Sequence, residues 1–217
     1  MQRQIKNLVT LFAGGVLLAF AVQGLAAAED PDLERGAREY KLCAGCHGFA
    51  GEGNELVGAP SLAGQENWYL SRQLENFRHG IRGGSGDDAS GQSMASMASG
   101  LSDARRRADL IAYVMKLPEP AHTADGVGGD QNRGASLYAP CAACHGIDGA
   151  GNAALQAPGL RAISPWYQVA TLQKFKNGSR GAAPQDIYGS QMAPMAAMLA
   201  DEQAMRDVVA HILTLGQ

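Results

Sequence analysis

The sequence has little of what marks several large classes of protein. Its 18 lysine and arginine residues are outnumbered by 21 aspartate and glutamate residues, which excludes the basic surface of a nucleic-acid-binding protein. Stretches in which apolar and polar residues alternate, the pattern of half-buried strands, are missing as well. Aromatic residues make up only 6% of the chain. We therefore expect an all-α protein whose own side chains supply a thin core.

A long apolar run is also missing. The longest stretch, Leu8 to Val22, is shorter than the roughly 20 residues that a membrane-spanning helix needs. It follows Arg3 and Lys6 and precedes three alanines that end at Ala28, which is the arrangement of an export signal. We expect residues 1–28 to be a signal peptide and the protein to lie in the periplasm. A retained membrane anchor is the alternative.

Cysteine is scarce, and all four cysteines belong to two copies of one short pattern. The copies are Cys43-Ala44-Gly45-Cys46-His47 and Cys141-Ala142-Ala143-Cys144-His145. Two thiols one helical turn apart can add to both vinyl groups of one porphyrin, and the histidine that follows can bind its iron. A single Cys-x-x-Cys could instead be a redox dithiol or half of a zinc site, but the histidine and the repetition favour haem. The pattern predicts two covalently bound haem c groups, with His47 and His145 as axial ligands of the iron.

The chain is an internal repeat. The spacing of 98 positions between Cys43 and Cys141 also relates rare residues elsewhere. Such pairs include Gly36 and Gly134, Tyr40 and Tyr138, Pro60 and Pro158, Trp68 and Trp166, and Arg82 and Arg180. One domain present twice is the simplest explanation. We predict an N-terminal domain over 29–119, a proline- and glycine-rich linker over 120–130, and a C-terminal domain over 131–217.

Each domain is predicted to contain three or four helices around its haem. Helices are expected from Asp32 to Leu42, from Trp68 to Arg78, and from Ser102 or Asp103 to about Lys116, with counterparts in the second copy. Because each copy is small, the porphyrin should act as a large apolar part of the core, and the chain without haem should fold poorly.

Methionine is the candidate for the second axial ligand. Met94 pairs with Met192 and Met97 with Met195 at the repeat spacing, in segments rich in Gly, Ala and Ser that are predicted to be loops. The other three histidines, His79, His122 and His211, have no histidine at the equivalent position, so we assign them to packing or to the surface. Spacing alone leaves open which methionine of each pair binds iron.

Taken together, these motifs resemble the dihaem cytochrome c4 family, two class-I cytochrome c domains in tandem. The resemblance rests on both haem motifs, Pro60–Gln65, Tyr69–Leu74, Phe77–Arg82 and the methionine segment that leads into Leu101-Ser102-Asp103. It implies that Met94 and Met192, each seven residues before a leucine, are the iron ligands. It also implies that the carbonyls of Pro60 and Pro158 orient the ligand histidines, and that the two domains face each other with the haem propionates near the interface.

Two repeated cations, Arg82 and Arg180, could neutralise those propionates. The equally weighted alternative is that they are solvated residues at a helix end. The function expected is a non-enzymatic electron carrier with both axial positions filled. The resemblance implies electron delivery from a quinol-oxidising complex to a terminal cytochrome oxidase, and peripheral contact with a membrane stays open. The alternatives are a dihaem peroxidase or thiosulfate-oxidising enzyme, and an electron-accepting subunit of a periplasmic dehydrogenase.

Overall fold

A computed structural model describes residues 30–84, 86–123 and 126–216 of the chain. The predicted signal peptide over 1–28 lies outside these residues. Within them, no helix is both long and apolar enough to span a bilayer. Extended pairing there is limited to two isolated bridges, Asn54 with Ala59 and Asn152 with Ala157. The prediction of an all-α fold is confirmed.

In the described ranges, each copy contributes four α-helices in the same order. The first copy contains α1 (Leu33–His47), α2 (Asn67–Arg78), α3 (Ala89–Ser99) and α4 (Ala104–Val114). The second contains α5 (Gln131–His145), α6 (Pro165–Lys176), α7 (Met192–Ala197) and α8 (Glu202–Ile212). Short 3-10 turns lie at Glu55–Val57, Ala153–Leu155 and Gly189–Gln191.

The first helix of each domain carries the haem motif on its last turns, further than the predicted end at Leu42. Asp32 caps α1 by accepting a hydrogen bond from the backbone N–H of Arg35 at 2.9 Å. The helix ends at Gly48, whose φ of 82° suits glycine. Tyr40 donates its hydroxyl to the Gly48 carbonyl at 2.7 Å and so ties this end down. The same arrangement recurs in α5, where Tyr138 donates to Gly146 at 2.7 Å.

The first and last helices of each domain cross in close contact at a glycine. A Cβ atom on Gly36 would overlap the backbone oxygen of Asp109 in α4, and one on Gly134 would overlap that of Asp207 in α8. Both aspartates are fully buried. The side chain of Asp109 accepts the backbone N–H of Asp32 at 2.8 Å, and that of Asp207 accepts the backbone N–H of Asp130 at the same distance. The crossing is therefore fixed by a small residue and by a buried carboxylate.

The prediction that the methionine segments are loops is wrong. Met94 and Met97 lie within α3, and Met192 and Met195 lie in the short helix α7. The Gly, Ala and Ser residues of α3 give it no strong apolar face, so periodicity did not reveal it. The helix is fixed instead by its cap, because the Asp88 side chain accepts the N–H of Gly91 at 2.9 Å.

The buried apolar side chains form one cluster in each domain. The first contains Tyr40, Ala44, Leu70, Leu110, Ile111 and Val114. The second is larger, is centred on α8, and includes Val127 from the segment between the domains. In both domains part of this cluster also lines a cavity, with Leu110 and Val114 in the first domain and Val208 and Ile212 in the second.

The helix crossing gives a direct test of the fold. Gly36→Ala should lower the free energy of unfolding by about 1–3 kcal/mol, because the new Cβ overlaps the Asp109 carbonyl and forces the helices apart. Guanidinium unfolding of the haem-containing protein, followed by far-UV circular dichroism, measures this change.

Gly45→Ala is the matched control on the same helix. A Cβ there meets nothing within 4 Å, and the equivalent residue of the second copy is Ala143. It should raise the free energy of unfolding by about 0.5–1 kcal/mol through helix propensity alone. Equal effects of the two substitutions would contradict the role assigned to the crossing.

Candidate haem sites

Each domain contains a large, mainly apolar cavity. The haem motif of that domain lies on the cavity wall. The first cavity is lined by Cys43, Cys46 and His47 of α1, Leu74 and Phe77 of α2, Met94 and Met97 of α3, and Leu110 and Val114 of α4. The second is lined by Cys141, Cys144 and His145 of α5, Leu172 and Phe175 of α6, Met192 and Met195 of α7, and Val208 and Ile212 of α8. The structure thus brings the residues singled out in each copy to the wall of one cavity.

The motif histidines are buried and their rings are held by a backbone carbonyl. The Nδ1 of His47 lies 2.8 Å from the carbonyl oxygen of Pro60, and that of His145 lies 2.8 Å from that of Pro158. Burial lowers the pKa of both imidazoles, so they are neutral at pH 7. If Nδ1 donates its proton to the carbonyl, the lone pair of Nε2 is free for a metal.

The cysteines do not have the character of a redox dithiol. Burial raises the pKa of the Cys43 thiol to about 11, and it also raises the pKa of Cys141. A catalytic dithiol needs the opposite shift, since the thiolate is the reactive form. Cys46 and Cys144 are exposed. A thioether bond to a porphyrin removes any need for a thiolate in the folded protein.

All four paired methionines line a cavity. In the first domain Met94 is partly buried, whereas Met97 is 53% exposed. In the second domain both Met192 and Met195 are partly buried. Cavity contact therefore does not separate the members of a pair, and the assignment of Met94 and Met192 stays a prediction. His79, His122 and His211 line neither cavity.

Two arginines form an unusual buried pair between the domains. Arg82 and Arg180 are only 7% and 6% exposed, so the alternative of a solvated helix end is wrong. Their hydrogen-bond partners in the described part of the chain are uncharged oxygens of amide, phenol and hydroxyl groups. The Nε atom of Arg82 is buried with no partner. Buried cations of this kind call for an anion.

These observations fit haem. Each cavity offers an apolar slot, two thiols one helical turn apart, an oriented neutral imidazole, and a buried guanidinium on its wall. An apolar porphyrin that carries two carboxylates matches all of these features. Arg82 would face the carboxylates in the first domain and Arg180 those in the second.

The two cavities share one wall, built from Tyr69, Gln73, Ile163 and Tyr167. Arg82 donates to the hydroxyl of Tyr167 in the other domain, and Arg180 donates to that of Tyr69 at 3.0 Å. The Oε1 atom of Gln73 accepts from both guanidiniums, at 2.7 Å from Arg82 and 3.2 Å from Arg180. Burial opposes ionisation of Tyr167, but the positive charges of Arg82 and Arg180 outweigh it and lower the pKa of the phenol to about 8.

Further hydrogen bonds join the domains beside this wall. The backbone N–H groups of Ser61 and Ser164 each donate to the hydroxyl of the other serine, at 2.9 and 3.0 Å. Arg72 donates to Oε1 and the carbonyl oxygen of Gln156, at 2.8 and 3.0 Å. These contacts lie within one compact unit, Pro31–Gln217. Gln73 lies in the Tyr69–Leu74 segment that carries the family resemblance, but the sequence pattern did not indicate its contact with both arginines.

The family model described as cytochrome c matches residues 33–118 and 131–216. The chain belongs to the cytochrome c family. The matched ranges each contain one haem motif, which confirms two covalent haem c groups in two tandem domains of the dihaem, cytochrome c4-like kind. This cytochrome is similar over 86% of its length to the whole solved chain of reduced cytochrome c4 from Pseudomonas stutzeri, with 26% identity and a TM-score of 0.68.

Two relatives by sequence are informative about the setting of this cytochrome. It is 30% identical to a thiosulfate dehydrogenase electron acceptor of Stutzerimonas stutzeri, over 98% of both chains. It is 33% identical to the cbb3-type cytochrome c oxidase subunit CcoP of Cereibacter sphaeroides, over 62% of this chain and 48% of that subunit. Both relatives belong to electron-transfer systems by name.

Alanine substitutions within each methionine pair identify the ligands. Met94→Ala should remove about half of the near-infrared methionine-to-iron charge-transfer absorption of the oxidised protein, because one haem of the two loses its thioether. Met192→Ala should remove the other half. Each variant should also bind CO at one haem after reduction.

Met97→Ala and Met195→Ala are the matched controls, since both side chains line the same cavities. They should keep the full absorption. If either control loses the band while its partner keeps it, the assignment within that pair is reversed.

Proposed function

We propose that this cytochrome is a periplasmic electron carrier that passes single electrons from a quinol-oxidising complex to a terminal cytochrome oxidase. The observation that carries the proposal is the equivalence of the two cavities. Each is lined by a buried, oriented histidine and by a pair of methionines from a different helix. An iron that has both axial positions filled exchanges electrons with little change in coordination and does not offer a site to substrate.

Two sets of residues contribute to this process. The carbonyls of Pro60 and Pro158 fix the imidazole rings, which keeps ligand geometry the same in both oxidation states. Arg82 and Arg180 supply buried positive charge, which favours the reduced state of a nearby redox centre. The haem iron, when bound, accepts and releases one electron.

The shared wall supports transfer of electrons between the domains. Tyr69, Gln73 and Tyr167 each line both cavities, so the two cavities are separated there by single side chains. The crossed hydrogen bonds of Arg82 and Arg180 hold this wall in place from both sides. A carrier with two centres can then accept an electron at one domain and release it from the other.

Apolar side chains are exposed at the mouths of both cavities. Leu42, Val57 and Met97 lie at the first mouth, and Leu155 lies at the second. Small, partly apolar patches suit the brief contacts that redox proteins make with their partners. The similarity to an oxidase subunit supports an oxidase as acceptor.

A second candidate is an electron acceptor of a periplasmic dehydrogenase, with thiosulfate dehydrogenase as the specific case. The observation that favours it is the similarity to a named electron acceptor of that enzyme over nearly the full length of both chains. In this role the cytochrome carries electrons in the same way, and only the donor differs. The peroxidase alternative needs an open iron, which two equivalent cavities do not favour.

Stopped-flow reduction of the oxidised protein separates the two candidates. A quinol-oxidising complex should reduce it with a rate constant of about 10⁵–10⁷ M⁻¹s⁻¹, typical of protein association, and a cbb3-type oxidase should reoxidise it. If only thiosulfate dehydrogenase with thiosulfate reduces it at such a rate, the second candidate replaces the first. If the reduced wild-type protein binds CO readily, the iron is open and the carrier proposal fails.

A matched pair of substitutions shows which domain meets each partner. Val57 and Leu155 are equivalent in the repeat, line the two mouths, and are both exposed. A charge placed there should slow docking at that domain alone, by about tenfold, since an uncompensated charge in the patch must be desolvated. Val57→Asp and Leu155→Asp should therefore slow different partner reactions, while their midpoint potentials stay close to wild type. Equal slowing of both reactions by both variants would contradict separate docking surfaces.

A further inference from the structure

We infer that Lys174, on the second domain, is a positioning residue for the Met94 helix of the first domain, and that the cap of the Met192 helix has no equivalent direct salt bridge among the described residues. The inference rests on the proposed role of Met94 as an iron ligand. It concerns a salt bridge that crosses the domain interface and joins α6 to the cap of α3. The repeat itself supplies the comparison, because in the described part of the chain the position equivalent to Lys174 is Asn76, which forms no salt bridge.

Asp88 is the residue on which α3 begins. Its side chain is 1% exposed and accepts the backbone N–H of Gly91 at 2.9 Å and the Ser90 hydroxyl at 3.2 Å. Met94 lies one turn further along the same helix. A shift of this cap would move the first turn of α3 and with it the methionine.

Lys174 reaches this cap from the other domain. Its Nζ atom lies 2.6 Å from Oδ1 of Asp88 and 2.7 Å from the hydroxyl of Ser90. The lysine side chain is itself only 20% exposed. Burial raises the pKa of Asp88, but the hydrogen bonds from Lys174 and the Gly91 N–H outweigh it and hold the pKa below its usual value. Asp88 is therefore ionised at neutral pH, and removing Lys174 would leave its buried charge without a partner.

The second domain has the cap without the lysine. Asp186 is equivalent to Asp88 and accepts the backbone N–H of Gly189 at 2.9 Å, ahead of Met192. The position equivalent to Lys174 is Asn76, which carries no charge. The two methionine helices are thus capped in the same way. Arg72 and Arg180 act on Asp186 through space. Among the described residues, however, only the Asp88 cap has a direct salt bridge, at 2.6 Å to Lys174.

The test uses substitutions that keep the cap and the side-chain length. Lys174→Met removes the charge, and Asp88→Asn keeps an oxygen for the Gly91 N–H while it removes the charge that faces Lys174. Imidazole binding to the oxidised holoprotein, which must displace the methionine, measures how firmly each thioether is held. At the first haem it should become about tenfold faster in both variants, the factor expected when one charge-assisted hydrogen bond is lost. The second haem should keep its wild-type rate.

Two controls accompany these variants. Asp186→Asn makes the same change at the cap that lacks a lysine, and it should alter the rate at the second haem by less than about twofold. Lys174→Arg keeps the charge, so imidazole should bind at the first haem at the wild-type rate. A purely through-space effect of charge would shift the midpoint potential of the first haem in opposite directions in Lys174→Met and Asp88→Asn, whereas loosening of Met94 speeds exchange in both.

Proton NMR of the reduced protein assigns each change to one haem. A ligand methionine gives an upfield-shifted methyl signal, and Met94→Ala and Met192→Ala each delete one of the two. If the wild-type protein lacks both signals, the proposed ligation fails and the inference with it. If both signals are present but Lys174→Met leaves imidazole exchange at the first haem unchanged, the inference fails while the proposed function stands.

Discussion

The attachment of the porphyrin to one helix constrains the rest of each domain. Two thiols one turn apart and the next histidine fix where a flat, rigid group must lie relative to α1 or α5. The imidazole then needs an acceptor, which the carbonyl of Pro60 or Pro158 provides at 2.8 Å. The remaining helices pack around the opening that is left, so many of their apolar side chains line a cavity as well as contacting each other.

The interface between the domains also depends on the porphyrin. Carboxylates carried into the interior need cations, and Arg82 and Arg180 are buried where the two cavities meet. Each guanidinium also reaches a tyrosine of the opposite domain, so the side chains that we propose to neutralise the cofactor also join the domains. The interface is not fully symmetric, since Gln73 accepts from both arginines and its counterpart in the repeat is Thr171.

The features that could be predicted from the sequence are those in which residue type and spacing determine the chemistry. The haem motifs, the repeat and the helical fold are of this kind. The helical state of the Met94 segment was missed because its small residues carry no periodic apolar signal, and its cap acts through geometry. The contacts of Lys174 and Gln73 could not be predicted, since they depend on how one domain faces the other.

The segment between the domains carries Val127, which is buried in the apolar cluster of the second domain. Arg206 donates to the Val127 carbonyl at 3.0 Å, and Gln203 donates to that of Gly128 at 2.9 Å. Val127 and Gly128 therefore belong structurally to the second domain and form its N-terminal segment. As a result, the second domain begins before its first helix α5. A gene fragment that starts at Gln131 would therefore lack part of the core of this domain.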